Sequence, residues 1–87
     1  LSANLKLRFF ARLREDLGTP GEELPLPADV ATVAGLRAHL ASRGGAWASA
    51  LAQGRALRVA VNHEIAQPST PVGPGDEVAF FPPVTGG

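Results

Sequence analysis

The sequence predicts an α+β domain in which one main helix lies across one face of a mixed sheet. Three observations lead there. Eighty-seven residues with 45% hydrophobic content suffice for a single core, at a size where a little over ~60% of the unfolded surface is buried. Period-two apolar patterns stand near both ends of the chain, in "NLKLRFF" and "EVAFF", as half-buried strands require. Between them, "TVAGLRAHLA" carries helical spacing, and one helix on one sheet face is the simplest way to bury all these stripes.

Residues 4 to 10 alternate Leu5, Leu7 and Phe9 against Lys6, Arg8 and Phe10, so Phe10 is an aromatic on an otherwise polar face. Leu13 and Leu17 then stand four apart among Arg12, Arg14, Glu15 and Asp16, a short amphipathic helix stopped by Gly18. "EELPLP" allows an extended segment, which Pro25 and Pro27 confine to a sheet edge. Thr32 is placed as the N-cap of the main helix, where Val33, Leu36 and Leu40 share a face and Gly44-Gly45 ends the run. Gly35 inside it costs about 1 kcal/mol relative to Ala. Trp47 and Leu51, again four apart, predict a further helical turn on the same core.

"LRVAVN" is the next strand, with Leu57, Val59 and Val61 inward, and Asn62-His63 turns the chain into "EIAQ". "PSTPVGPGDE" is turn-rich. The last strand, residues 77 to 81, puts Val78 and Phe80 on one face and Ala79 and Phe81 on the other. If the first and last strands are neighbours at the sheet centre, as in a ubiquitin-like β-grasp, Phe10 and Phe81 point away from the helix and Ile65 lies near them. Such an apolar patch marks a partner surface. A covering loop, or a one-residue slip that inverts the faces, is the alternative.

Composition narrows the function. Eight basic and eight acidic side chains give a formal net charge of +0, so no global field draws nucleic acid or anionic lipid. Without cysteine there is no disulfide framework, thiolate metal site or cysteine nucleophile. No apolar run reaches the ~20 residues of a membrane helix and no signal-type segment opens the sequence, which reads as cytoplasmic. His39 and His63 lack partners in any catalytic motif. Glu15-Asp16, Glu22-Glu23 and Asp76-Glu77 are adjacent pairs whose carboxylates diverge, unlike an acid/base dyad. Gly73-Pro74-Gly75 precedes a strand, which excludes a dinucleotide loop, and no metal-ligand spacing is present.

Elimination leaves the end of the sequence, "FFPPVTGG". Pro82 and Pro83 cannot continue a ladder and favour extended chain, so we divide the sequence into a domain over 1–81 and a tail over 82–87. Val84, Thr85, Gly86 and Gly87 reach roughly 13 Å at ~3.3 Å per residue, enough to thread a narrow channel in another protein. Gly86 and Gly87 have no Cβ, which lets that channel be tight and leaves the last carbonyl open to attack. The tail reads as a substrate. A frayed terminus is the bland alternative.

"GDEVAFFPPVTGG", with "LRFFARLRE", "TVAGLRAHLA" and "LRVAVN", closely resembles the family of molybdopterin synthase small subunits over nearly the whole chain. The resemblance implies a ubiquitin-like β-grasp and a sulfur carrier with no bound cofactor, non-catalytic in itself. An activating enzyme adenylates Gly87 with ATP, and a sulfur donor system converts it to a thiocarboxylate. The tail, with Gly86 as spacer, enters the large subunit, where the sulfur passes to cyclic pyranopterin monophosphate to make the molybdopterin dithiolene. Phe10, Ile65 and Phe81 match partner-facing positions, and a two-plus-two heterotetramer is implied. A thiazole-pathway sulfur carrier and a ubiquitin-like protein modifier share the tail chemistry and stand as the alternatives.

Overall fold

The alternation of Leu5, Leu7 and Phe9 becomes a central strand because a second apolar strand from the far end of the chain pairs beside it. A computed structural model, which describes residues 4–83, places β1 (Asn4–Phe9) parallel to β5 (Glu77–Phe81), with Leu7 opposite Val78 and Phe9 opposite Phe80. Outside β1 lies β2 (Gly21–Pro25), and outside β5 the hairpin of β3 (Arg58–Val61) and β4 (Glu64–Ala66), giving the order β2-β1-β5-β3-β4. Among the described residues only the β1–β5 pair is parallel. This mixed sheet under helices is the ubiquitin-like β-grasp the sequence predicts.

Three helices cover the inner face: α1 (Ala11–Leu17), α2 (Val33–Ala41) and α3 (Gly45–Ala50). Gly18 ends α1 in the left-handed region, φ 73°, and its N–H reaches the Arg14 carbonyl; glycine takes that conformation at no steric cost. The Thr32 hydroxyl accepts the Gly35 N–H at 3.2 Å, as an N-cap should. The main helix ends earlier than the sequence suggests. The Arg43 and Gly44 N–H groups bond three residues back, to Leu40 and Ala41, and this tighter turn frees Gly44 to open α3. Asn62 and His63 both have positive φ, 50° and 72°, the two-residue reversal that fits a hairpin's twist.

Leu5, Leu36, Leu40, Val78 and Phe80 are fully buried, and no polar side chain is buried among the described residues. Phe9 meets Phe80 at 5.9 Å between ring centroids and the edge of Trp47 at 5.5 Å. Fully burying such a side chain stabilises by roughly 2–3 kcal/mol. Trp47 in turn lies 4.4 Å beneath the Arg43 guanidinium, which holds Glu22 of β2 through two 2.8 Å hydrogen bonds. One chain of contacts thus ties edge strand, helix and central strand together. Arg37 on α2 donates to the carbonyls of Leu51, Ala52 and Arg55, holding the connection from α3 to β3 against the helix.

Two glycines test this packing. A Cβ at Gly21 would overlap the Leu7 carbonyl oxygen, so Gly21→Ala should force β2 off β1 and cost about 2 kcal/mol or more in urea unfolding. At Gly35 a Cβ would meet Thr32 Oγ1 at 3.6 Å and nothing closer. Gly35→Ala should therefore stabilise by ~0.5–1 kcal/mol, and a loss would show that the first turn has no room.

The Glu22–Arg43 pair has a definite pH signature. Hydrogen bonding to Arg43 holds the Glu22 carboxyl below the ordinary carboxylate range, against the opposing effect of burial. The contribution is present above the unfolded carboxylate's pKa and is lost as pH falls through the lower folded value. For a partly exposed pair, Glu22→Gln should cost about 0.5–1 kcal/mol at neutral pH. The gap between wild type and variant should narrow as pH falls below the ordinary carboxylate range and close once Glu22 is protonated in the folded state too, and a gap that persists in strong acid would assign the loss to packing.

Candidate functional site: the outer sheet face and the tail exit

The face turned away from the helices is set by the same register that builds the core. Residues paired across a ladder share a face, so Ile65, Ala60, Ala79 and Arg8 form one row across β4, β3, β5 and β1. A second row joins Arg58 to Phe81. Phe10 continues it: its backbone stays extended, φ −121° and ψ 158°, and it directly follows Phe9, the partner of Phe80. Its N–H donates to the Phe80 carbonyl at 3.2 Å. Ala11 then turns the chain sharply through a left-handed residue, φ 54°, which leaves Phe10 as the last outward position before α1.

All three aromatic and aliphatic residues expected on this face are there. Phe10 is 47% and Ile65 64% exposed, the two exposed large hydrophobics among the described residues, and Phe81 is half-buried. No loop covers Phe10 or Ile65. Phe10 and Phe81 sit side by side, while Ile65 is two strands away on the edge of the face. Pro82 and Pro83 follow β5 directly and are half-buried. Pro83 lines a groove with Arg58 and Ile65 at the end of the β3–β4 hairpin. The expectations for Val84, Thr85, Gly86 and Gly87 fall outside the described residues.

Several features here escape a reading of single segments. Ala60 and Ala79 pair across β3 and β5 and floor a shallow hollow walled by Phe10, Arg8, His63 and Glu77. The Glu77 carboxylate stands 3.9 Å from Arg8 Nε and 4.0 Å from His63 Nε2. Asn62 fixes the nearby turn by donating to Asp76 at 3.0 Å and accepting the Glu77 N–H at 3.0 Å. The period-two pattern marks each alanine as outward-facing, but only the strand order puts them together. Among the described residues no group of three or more His, Asp or Glu side chains is placed to hold a metal ion. The arrangement suits docking: an apolar surface beside the point where the chain leaves the sheet.

Comparison with known proteins bears on what this face is for. The ThiS family profile matches residues 7–87. The molybdopterin synthase sulfur carrier subunit of Escherichia coli K12 is 48% identical over 83 residues, covering 95% of this chain and 99% of that one. Its counterpart in Haemophilus influenzae Rd is 46% identical over the same shares. Among solved structures, the Haloferax volcanii small archaeal modifier protein 1 superposes with a TM-score of 0.73 at 26% identity, covering 94% of this chain and 99% of that one. The chain belongs to the ThiS family.

Proposed function

We propose that this protein is the sulfur-carrying small subunit of molybdopterin synthase. The observation that carries the reading is the 48% identity to the E. coli sulfur carrier subunit over nearly the full length of both chains. In this reading the Gly87 carboxylate attacks the α-phosphorus of ATP on an activating enzyme, releasing pyrophosphate. The acyl adenylate turns a poor leaving group into a good one, and sulfur from a donor system displaces AMP to leave a thiocarboxylate. That group supplies nucleophilic sulfur at neutral pH, which a chain without cysteine cannot supply from a side chain. The large subunit performs the catalysis on cyclic pyranopterin monophosphate, and two copies of each subunit assemble in the cytoplasm.

The geometry supports this division of labour. Phe10, Ile65 and Phe81 form the docking face, Pro82 and Pro83 end the ladder because neither has an N–H, and residues 84–87 enter the partner. A second reading has its own support in the likeness to the Haloferax modifier protein: Gly87 would then form isopeptide bonds with lysines of target proteins. A thiazole-pathway carrier would show as a thiamine requirement in a deletion strain, against loss of molybdoenzyme activity for the synthase subunit.

Intact-mass spectrometry separates carrier from modifier. After incubation with the activating enzyme, ATP and a sulfide source, the protein should gain the mass of one sulfur minus one oxygen, and a chain lacking Gly87 should not. Higher-mass lysine conjugates in cells, without that species, would favour the modifier. For the docking face, Phe81→Ala should weaken the complex with the large subunit by ~2 kcal/mol or more. An unchanged dissociation constant in a folded variant would remove Phe81 from the interface.

A further inference from the structure

The charge on the outer face is not evenly matched, and the unmatched site lies where the chain leaves the sheet. Lys6 has a carboxylate residue directly across the ladder on each side, Glu23 on β2 and Glu77 on β5. Arg8 has Glu77 within 3.9 Å. Arg58 has Phe81 opposite it on β5, is exposed, and makes no hydrogen bond or ion pair among the described residues.

The sequence explains why nothing local neutralises it. All eight acidic residues lie outside residues 30–63, a stretch that holds four of the eight cations, Arg37, Arg43, Arg55 and Arg58. Arg37 is occupied by three carbonyls and Arg43 by Glu22. The first residue after β4 on the side toward Arg58 is Gln67, which is neutral. A chain of zero net charge thus keeps an unpaired guanidinium beside an aromatic anchor, a planar donor fork shaped for a carboxylate.

We propose that Arg58 is a specificity-determining contact: it pairs with a carboxylate side chain of the protein that accepts the tail, at the rim of the opening beside the seat of Phe81. This rests on the reading of the outer face as the docking surface. The occupant is an acidic patch on a protein because the surface around Arg58 is apolar, formed by Ile65, Phe81 and Pro83, and such a surface is matched by side chains. A rim charge of this kind sets which partner docks, and how fast, more than total affinity.

The experiment is calorimetric titration of the full chain into the large subunit at low and high salt. Arg58→Glu should weaken binding by about tenfold or more at low salt, and the deficit should shrink as salt screens it. Arg58→Lys should restore most of the binding. Arg14→Glu, the same charge change on the exposed face of α1, should leave it within about twofold. If Arg58→Glu binds like wild type while Phe81→Ala is weak, the Arg58 assignment is overturned and the docking face stands. If neither variant is weakened, the docking face itself is wrong. A penalty that vanishes when Gly87 is converted to its carboxamide would mean that Arg58 serves the chain's own terminus, which also overturns the proposal. Circular dichroism melts confirm that each variant is folded.

Discussion

The parallel pairing of β1 with β5 is the constraint on which the rest depends. It joins residues near the two ends of the chain, so everything between them must act as one long crossover. The register of this pair, Leu7 with Val78 and Phe9 with Phe80, sends one alternating set of side chains into the core. The same register sends the other set, Arg8 with Ala79 and then Phe10 beside Phe81, to the opposite face. A slip of one residue would exchange them, exposing Phe80 and burying Ala79. Core and exposed apolar face are therefore two consequences of one choice of register, and the aromatic cluster of Phe9 with Phe80 and Trp47 favours that choice.

Much of this was legible in the residues because periodicity is a local signal. The strands at both ends, the Thr32 cap, the Gly18 stop and the Asn62-His63 turn each follow from a few neighbours in sequence, and each is present. The main helix was expected to run to Gly44, but its last turn tightens after Ala41. The reason is tertiary: Arg43 leaves the helical path to stack on Trp47 and bind Glu22. No local propensity encodes an ion pair across 21 residues of chain.

The candidate site divides in the same way. Phe10, Ile65 and Phe81 announce themselves as large apolar residues on faces otherwise polar or small. The alanine hollow and the unmatched Arg58 do not, because each is defined by what stands opposite on another strand. Formal neutrality of the whole chain conceals the second feature, since balance over 87 residues says nothing about balance within a few ångströms. Position also separates side chains of one type: of four arginines between residues 30 and 63, the side chains of Arg37 and Arg43 have partners among the described residues and those of Arg55 and Arg58 do not.

The placement of β5 has a further bearing on the proposed sulfur transfer. A tail rooted in an edge strand is held by one ladder, whereas β5 is bonded on both sides, to β1 and to β3. The point from which residues 84–87 start is therefore fixed relative to Phe81 and Arg58. If the outer face docks as proposed, entry of the tail becomes an intramolecular step, and a fixed origin would raise its effective concentration at the partner's opening. In the proposed reading the rigid face supplies recognition and the two glycines supply access, so neither must compromise for the other.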